Sequence, residues 1–103
     1  MENNGKITIG QNLKRIRKEL GLKQCEITGG EITRNLISII ENDKTPLYET
    51  NAIIISKNMN SIMEERGLDI YIEPEDILNP KRYEAKKKAD LYIENLKNKL
   101  DEK

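Results

Sequence analysis

The chain has 103 residues, no net charge, 36% hydrophobic and 35% charged residues, and neither Trp nor Phe, which is material for one small domain with an Ile- and Leu-rich core. No apolar run approaches the ~20 residues of a membrane span, and Met1–Lys6 lacks the apolar stretch of a secretory signal. With no His and a single cysteine, Cys25, a zinc site, an internal disulfide and the commonest general-base chemistry fall away, so the expectation is a cytoplasmic protein that is no enzyme and carries no cofactor.

The neutral total hides an uneven distribution. Residues 1–47 carry eight Lys/Arg against six Asp/Glu, residues 48–80 two against seven, and residues 81–103 eight against five. The chain therefore reads as a basic front, an acidic middle and a basic tail.

Met1–Thr8 is polar and contains a glycine, and a frayed start is expected there. From Ile9 to Leu20 the apolar positions Ile9, Leu13, Ile16 and Leu20 follow helical spacing, with Lys14, Arg15, Arg17 and Lys18 on the other faces and Gly21 as the stop. A short helix is predicted over Leu22–Thr28, ended by Gly29-Gly30. The next helix runs through Leu36, Ile37 and Ile40 with Thr33 as N-cap, and Asn42-Asp43-Lys44-Thr45-Pro46 is turn chemistry.

A long helix is predicted from about Tyr48 to Arg66, with Ala52, Ile55, Met59, Ile62 and Met63 inside and Gly67 at its end. Asp69–Glu73 alternates briefly and reads as extended, while Pro74–Leu78 looks like one helical turn. Asn79-Pro80 opens a final helix whose stripe is Ala85, Ala89, Tyr92, Leu96 and Leu100. The expected organisation is a domain at 9–66, an acidic connector at 67–79 and a C-terminal helix at 80–103. That helix is expected to self-associate, to begin a repeat array, or to fold back on Ala52, Ile55 and Met59.

Two short helices across a tight glycine turn, behind a basic first helix, form a helix-turn-helix pattern. The residues that carry it are Ile16-Arg17, then Gly21-Leu22-Lys23-Gln24-Cys25-Glu26-Ile27-Thr28, then Thr33-Arg34-Asn35-Leu36-Ile37-Ser38-Ile39-Ile40-Glu41-Asn42-Asp43-Lys44-Thr45-Pro46. Over about residues 9–66 the chain resembles the lambda-repressor/Cro-like helix-turn-helix family, also called the xenobiotic-response-element family. It departs from that pattern at Thr28, where a packed Ala is usual, and at Asp43, where Gly is usual. A third departure is the segment between Thr28 and Thr33, one residue shorter than in phage repressors. The shorter turn resembles Gram-positive, peptide-responsive regulators with C-terminal tetratricopeptide repeats, and Tyr83 onward looks like the start of such an array. A peptide effector is expected only if such a repeat domain follows.

The resemblance implies an all-α bundle of four to five helices plus a C-terminal helix, binding double-stranded DNA as a homodimer. Its recognition helix, about residues 33–42, would enter the major groove. Carried over position by position, Arg34, Asn35 and Ile39 would face bases, while Gln24, Thr33, Asn42 and Lys44 would face phosphate. Each has a plainer reading: Ile39 as core, Thr33 as N-cap, Asn42 as C-cap, the others as solvated surface. The alternative function is a protein-interaction module on the same fold with little DNA affinity. Cys25 lacks a second cysteine to resolve an oxidised thiol, and Lys86-Lys87-Lys88 reads first as a solvated basic face.

Overall fold

A computed structural model describes residues 6–89. Among the described residues every regular element is helical, and no helix is long and apolar enough to cross a membrane. Helix α1 spans Ile9–Glu19, and a single 3-10 turn spans Gln24–Ile27. Helices α2, Arg34–Glu41, α3, Glu49–Glu65, and α4, Pro74–Leu78, follow. A further helix, α5, occupies 80–89. The expected all-α bundle is the observed architecture.

The frayed start expected over Met1–Thr8 does not include Thr8, and residues 1–5 lie outside the described residues. The Thr8 hydroxyl accepts the Gln11 amide at 3.0 Å while the Gln11 side chain accepts the Thr8 amide at 3.0 Å, so two otherwise orphaned donors are satisfied at the start of α1. Leu13 and Ile16 are fully buried as the spacing requires, but Ile9 sits at the rim, 38% exposed. The buried face of α1 is completed by Asn12 and Arg17. Gly21 ends the helix at φ +72°, with the Leu22 amide donating to the Arg17 carbonyl at 3.0 Å.

The helix expected over Leu22–Thr28 is reduced to the 3-10 turn. Thr28, at the position where Ala was expected, donates its hydroxyl to the Cys25 carbonyl at 2.9 Å, and Gly29 and Gly30 then reverse the chain at positive φ. Asn58 of α3 donates to the Ile27 carbonyl at 2.9 Å, and a Cβ on Gly29 would stand 2.4 Å from that Asn58 amide. The glycine thus gives α3 room to cap the turn. At the end of α2, Asp43 adopts φ +62°, the left-handed geometry expected of the residue replacing Gly, and the Lys44 amide donates to the Ile39 carbonyl at 2.9 Å.

Ala52, Ile55, Met59 and Met63 of α3 are fully buried, and Ile62 packs against the same core. Segment Asp69–Glu73, read as extended, belongs to no regular element. Instead Asn60 of α3 clamps Ile72, accepting its amide at 2.7 Å and donating to its carbonyl at 2.8 Å, as a neighbouring strand would. Segment 67–79, expected as a connector, contributes Ile72 and Ile77 to the same core as α1–α3. Asn12 donates to the carbonyls of Asp76 and Ile77 at 2.9 and 2.8 Å, satisfying the end of α4 from inside the bundle.

Asn79 caps α5 as read, accepting the amides of Lys81 and Arg82 at 3.2 and 3.3 Å. The expected stripe of α5 differs. Ala85 and Ala89 are exposed, and the buried residue is Tyr83, whose hydroxyl donates to Glu19 of α1 at 2.6 Å. The described part of the helix, 80–89, therefore packs on its own chain, bonding Glu19 of α1 and Asp76 of α4 and placing Tyr83 in the common core. Tyr92, Leu96 and Leu100 lie outside the described residues.

Asp76 gathers Lys86 at 2.8 Å, Arg82 at 3.1 Å and the Glu73 amide at 2.9 Å. Burial raises the pKa of its carboxyl, but the bonds from Lys86 and the Glu73 amide, with the charge of Lys86, outweigh that and hold it below its ordinary 3.8. A group whose folded pKa is depressed contributes stability above its unfolded pKa and loses it as pH falls through the folded value. Asp76→Asn is therefore expected to be the less stable protein at neutral pH. Its deficit against the unaltered chain should shrink below about pH 4, read by urea melts across the acid range. Gly10 is constrained sterically: a Cβ there would lie 2.2 Å from the Ile40 carbonyl oxygen. Gly10→Ala should cost about 1–3 kcal/mol in the same melts by forcing α1 from α2.

Candidate nucleic-acid interface

The site is built on a buried ion pair. Arg17 of α1 donates through Nε to Glu41 Oε2 at 2.7 Å and through Nη2 to Glu41 Oε1 at 2.9 Å, and its Nη1 donates to the Leu22 carbonyl at 2.9 Å. The side chains are 10% and 1% exposed, so the fork is almost fully withdrawn from water. It joins the last turn of α1 to the last residue of α2 and holds the chain leading into the 3-10 turn. Glu41 Oε1 also accepts the Gln24 side-chain amide at 3.0 Å. One carboxylate therefore fixes the orientation of α2 and the direction of Gln24.

Thr33 caps α2, accepting the Leu36 amide at 3.0 Å, and its hydroxyl hydrogen stays available. Arg34 and Asn35 follow on the first exposed turn. Ile37 and Ile40 face inward, and Leu36 packs on the core. Ile39 is half-buried and stands outside the core, so of its two readings the structure leaves its side chain on the partly open face. Arg34 shares a shallow open cleft with Lys23, Gln24 and Cys25, floored by Arg17 and Leu22. Cys25 is a free, exposed thiol.

Asn42 and Lys44 sit at the opposite end of α2, about 12 Å away along an eight-residue helix. Asn42 is the C-cap of α2, and its side chain donates to the Ser38 carbonyl at 2.9 Å, so the capping role is realised. Lys44 is exposed beside Ile9, Gly10 and Pro46. The structure thus gathers the expected residues into two clusters: Gln24, Thr33, Arg34 and Asn35 at the start of α2, Asn42 and Lys44 at its end. Among the described residues Lys23, Arg34 and Lys44 make no ion pair, whereas Arg15, Arg17, Arg66, Arg82, Lys86 and Lys87 all do. Of the run Lys86-Lys87-Lys88 read as a solvated face, Lys87 and Lys88 are exposed, while Lys86 is half-buried against Asp76 and Lys87 also bonds Glu19.

The residues overlooked in the sequence are Arg17 and Glu41 acting together. Arg17 was assigned to the polar side of α1, although it stands four residues after Leu13 and three before Leu20, on the edge of the apolar stripe. Glu41 likewise follows Ile37 by four. Two opposite charges, each on the inner stripe of its helix, are the signal for a buried pair.

Comparison with protein-family models, with curated proteins and with solved structures finds no match to the chain.

Removing one partner of a buried ion pair leaves the other charged and desolvated. Glu41→Ala should therefore cost about 3–5 kcal/mol, while the paired replacement Arg17→Met with Glu41→Leu should recover most of that loss in urea denaturation. Recovery of stability without restored order at Gln24 would separate the pair's orienting role from its energetic one, read from the Gln24 side-chain amide resonances.

Proposed function

We propose that this chain is a sequence-specific, DNA-binding transcriptional regulator of the lambda-repressor/Cro-like kind, cytoplasmic, and binding operator DNA as a homodimer. The observation that supports it most is the start of α2. Arg34 and Asn35 are exposed there, with no ion pair to Arg34 among the described residues, on a helix anchored from below by the Arg17–Glu41 fork.

In this reading α2 enters the major groove by its N-terminal turn. Arg34 donates its two-pronged guanidinium to guanine O6 and N7, and the Asn35 amide pairs with adenine N6 and N7. Ile39 meets a thymine methyl from the partly open face of α2. Gln24 and Thr33 donate to phosphate on one side of the groove; Asn42 and Lys44 do so on the other. Gln24 acts through its side chain, since one 3-10 turn carries little dipole of its own, and the amide hydrogen not taken by Glu41 is the one that reaches phosphate. Asn42 keeps one amide hydrogen beyond the one it gives Ser38.

The two kinds of contact differ in what they do to binding. Base contacts discriminate sequence, whereas phosphate contacts attract any duplex and release counterions. After selection of a preferred operator from a random duplex pool, Arg34→Ala should weaken it by about 1–3 kcal/mol and relax one base position. Lys44→Ala should weaken every duplex alike and lower the slope of log K against log salt by about one. Anisotropy titrations over a salt series read both. Failure to bind any duplex at low salt would replace this reading with the protein-interaction module, which the exposed Glu49, Glu64, Glu65 and Asp69 of the acidic middle favour.

A further inference from the structure

The outer face of α3 carries an arrangement that is complementary to its own reverse. Ile53, Lys57, Ser61 and Glu64 lie at spacings of four, four and three, with Asn60 beside them, so they form one stripe along about 16 Å of helix. Ile53, Lys57, Asn60, Ser61 and Glu64 line a common open groove whose far wall includes Tyr71. Ile53 is 48% exposed and Tyr71 63%, and Leu68, just past the end of α3, is 47% exposed. Lys57 and Glu64 stand about 10.5 Å apart along the axis, too far to meet within one chain, and neither makes an ion pair among the described residues.

We propose that this face pairs two copies of the chain, with their α3 helices antiparallel about a twofold axis passing between Asn60 and Ser61. In that register Lys57 faces the partner's Glu64, Glu64 faces the partner's Lys57, and Ile53 reaches the partner's Leu68. Small polar Ser61 lies at the crossing, where the helices come closest. An isologous contact demands a patch that matches itself after a half-turn, and a positive and a negative charge equidistant from an axis between Asn60 and Ser61 meet that demand. A partner of unrelated sequence has no reason to need such symmetry. The proposal rests on the dimeric reading above and names its surface, and it uses none of the residues assigned to DNA.

Sedimentation of the full chain at high micromolar concentration and low salt tests it, with circular dichroism to show that each variant folds. The unaltered chain should sediment as a monomer–dimer mixture. Lys57→Glu and Glu64→Lys should each weaken the dimer about tenfold or more, since each converts two attractive pairs into two repulsive ones. An equimolar mixture of the two variants should dimerise again, because one then carries acid and the other base at both positions. The double reversal Lys57→Glu with Glu64→Lys should also restore the dimer. A monomeric unaltered chain, single reversals that leave the dimer unchanged, or a mixture that stays monomeric would each overturn the proposal. The readout is independent of DNA: a charge-dependent dimer that binds no duplex would uphold this surface while refuting the regulatory function.

Discussion

The bundle is organised around the withdrawal of Arg17 and Glu41 from water. Three donor contacts from the guanidinium and a fourth from Gln24 converge on one carboxylate and one carbonyl, tying α1, the 3-10 turn and α2 into one body. Such a pair is weak evidence for stability, because well-packed apolar side chains of similar volume would serve as well or better. What it supplies is geometry. A carboxylate that accepts a fork on one side and an amide on the other leaves few arrangements open to α2 relative to α1. An apolar contact would let α2 rotate by a fraction of a turn at small cost. In the proposed reading, where the exposed first turn of α2 meets DNA, that rotation would decide whether Arg34 and Asn35 point at the bases.

Asparagine does for the loops what the ion pair does for the helices. With no Phe or Trp, the core of Ile, Leu and Met cannot reach every segment with bulk. Asn12, Asn58 and Asn60 reach from α1 and α3 to satisfy backbone groups of α4, the 3-10 turn and the 69–73 segment. Each contact satisfies a backbone carbonyl, and at Ile72 an amide as well, that would be costly to leave unpaired near the core. The double clamp of Asn60 on Ile72 also explains how an irregular segment can lie alongside a helix without a partner strand. Close packing of α1 on α2 has a similar local origin in Gly10, where the Ile40 carbonyl occupies the place a side chain would take.

Much of this was legible in residue spacing, and the exceptions have physical causes. The stripes of α1, α2 and α3 were readable because each helix buries a face several turns long, and the stops at Gly21, Asp43 and Gly67 because left-handed geometry selects those residue types. The 3-10 turn was overestimated because buried Leu22 and Ile27 read as one helical stripe, whereas Lys23 is extended and the Thr28 hydroxyl and two glycines close the turn after Ile27. At segment 69–73 the alternation holds at Ile72, which is buried, but not at Ile70, which is 40% exposed, since what pins the segment is the Asn60 side chain 12 residues before Ile72. The Ala85 and Ala89 stripe misled because α5 docks by Tyr83 and charged side chains, a mode that hydrophobic periodicity cannot register. At the candidate interface, the exposed start of α2 followed from the Thr33 cap, while the buried pair beneath it required reading two charges as interior residues.

The same polar docking bears on the neutral total of the chain, since the proposed reading calls for positive charge at the start and end of α2. The acids of the middle segment are not free to oppose an anionic ligand to the extent their number suggests. Asp76 is surrounded by Lys86 and Arg82, and Arg82 also meets Glu73. Glu19 of the front is held by Lys87 and Tyr83, while Glu84 of α5 takes Arg15. Burial opposes ionisation of Glu19, yet the Lys87 and Tyr83 bonds and the nearby cations overcome it, keeping its pKa lowered. The basic tail thus spends its charge on the acidic middle and on the far end of α1, inside the fold. Among the described residues Lys23, Arg34 and Lys44 are the cations around α2 without ion pairs, with Glu31 and Asp43 as the exposed acids beside them, and screening within about 10 Å makes that local balance weigh more than the total.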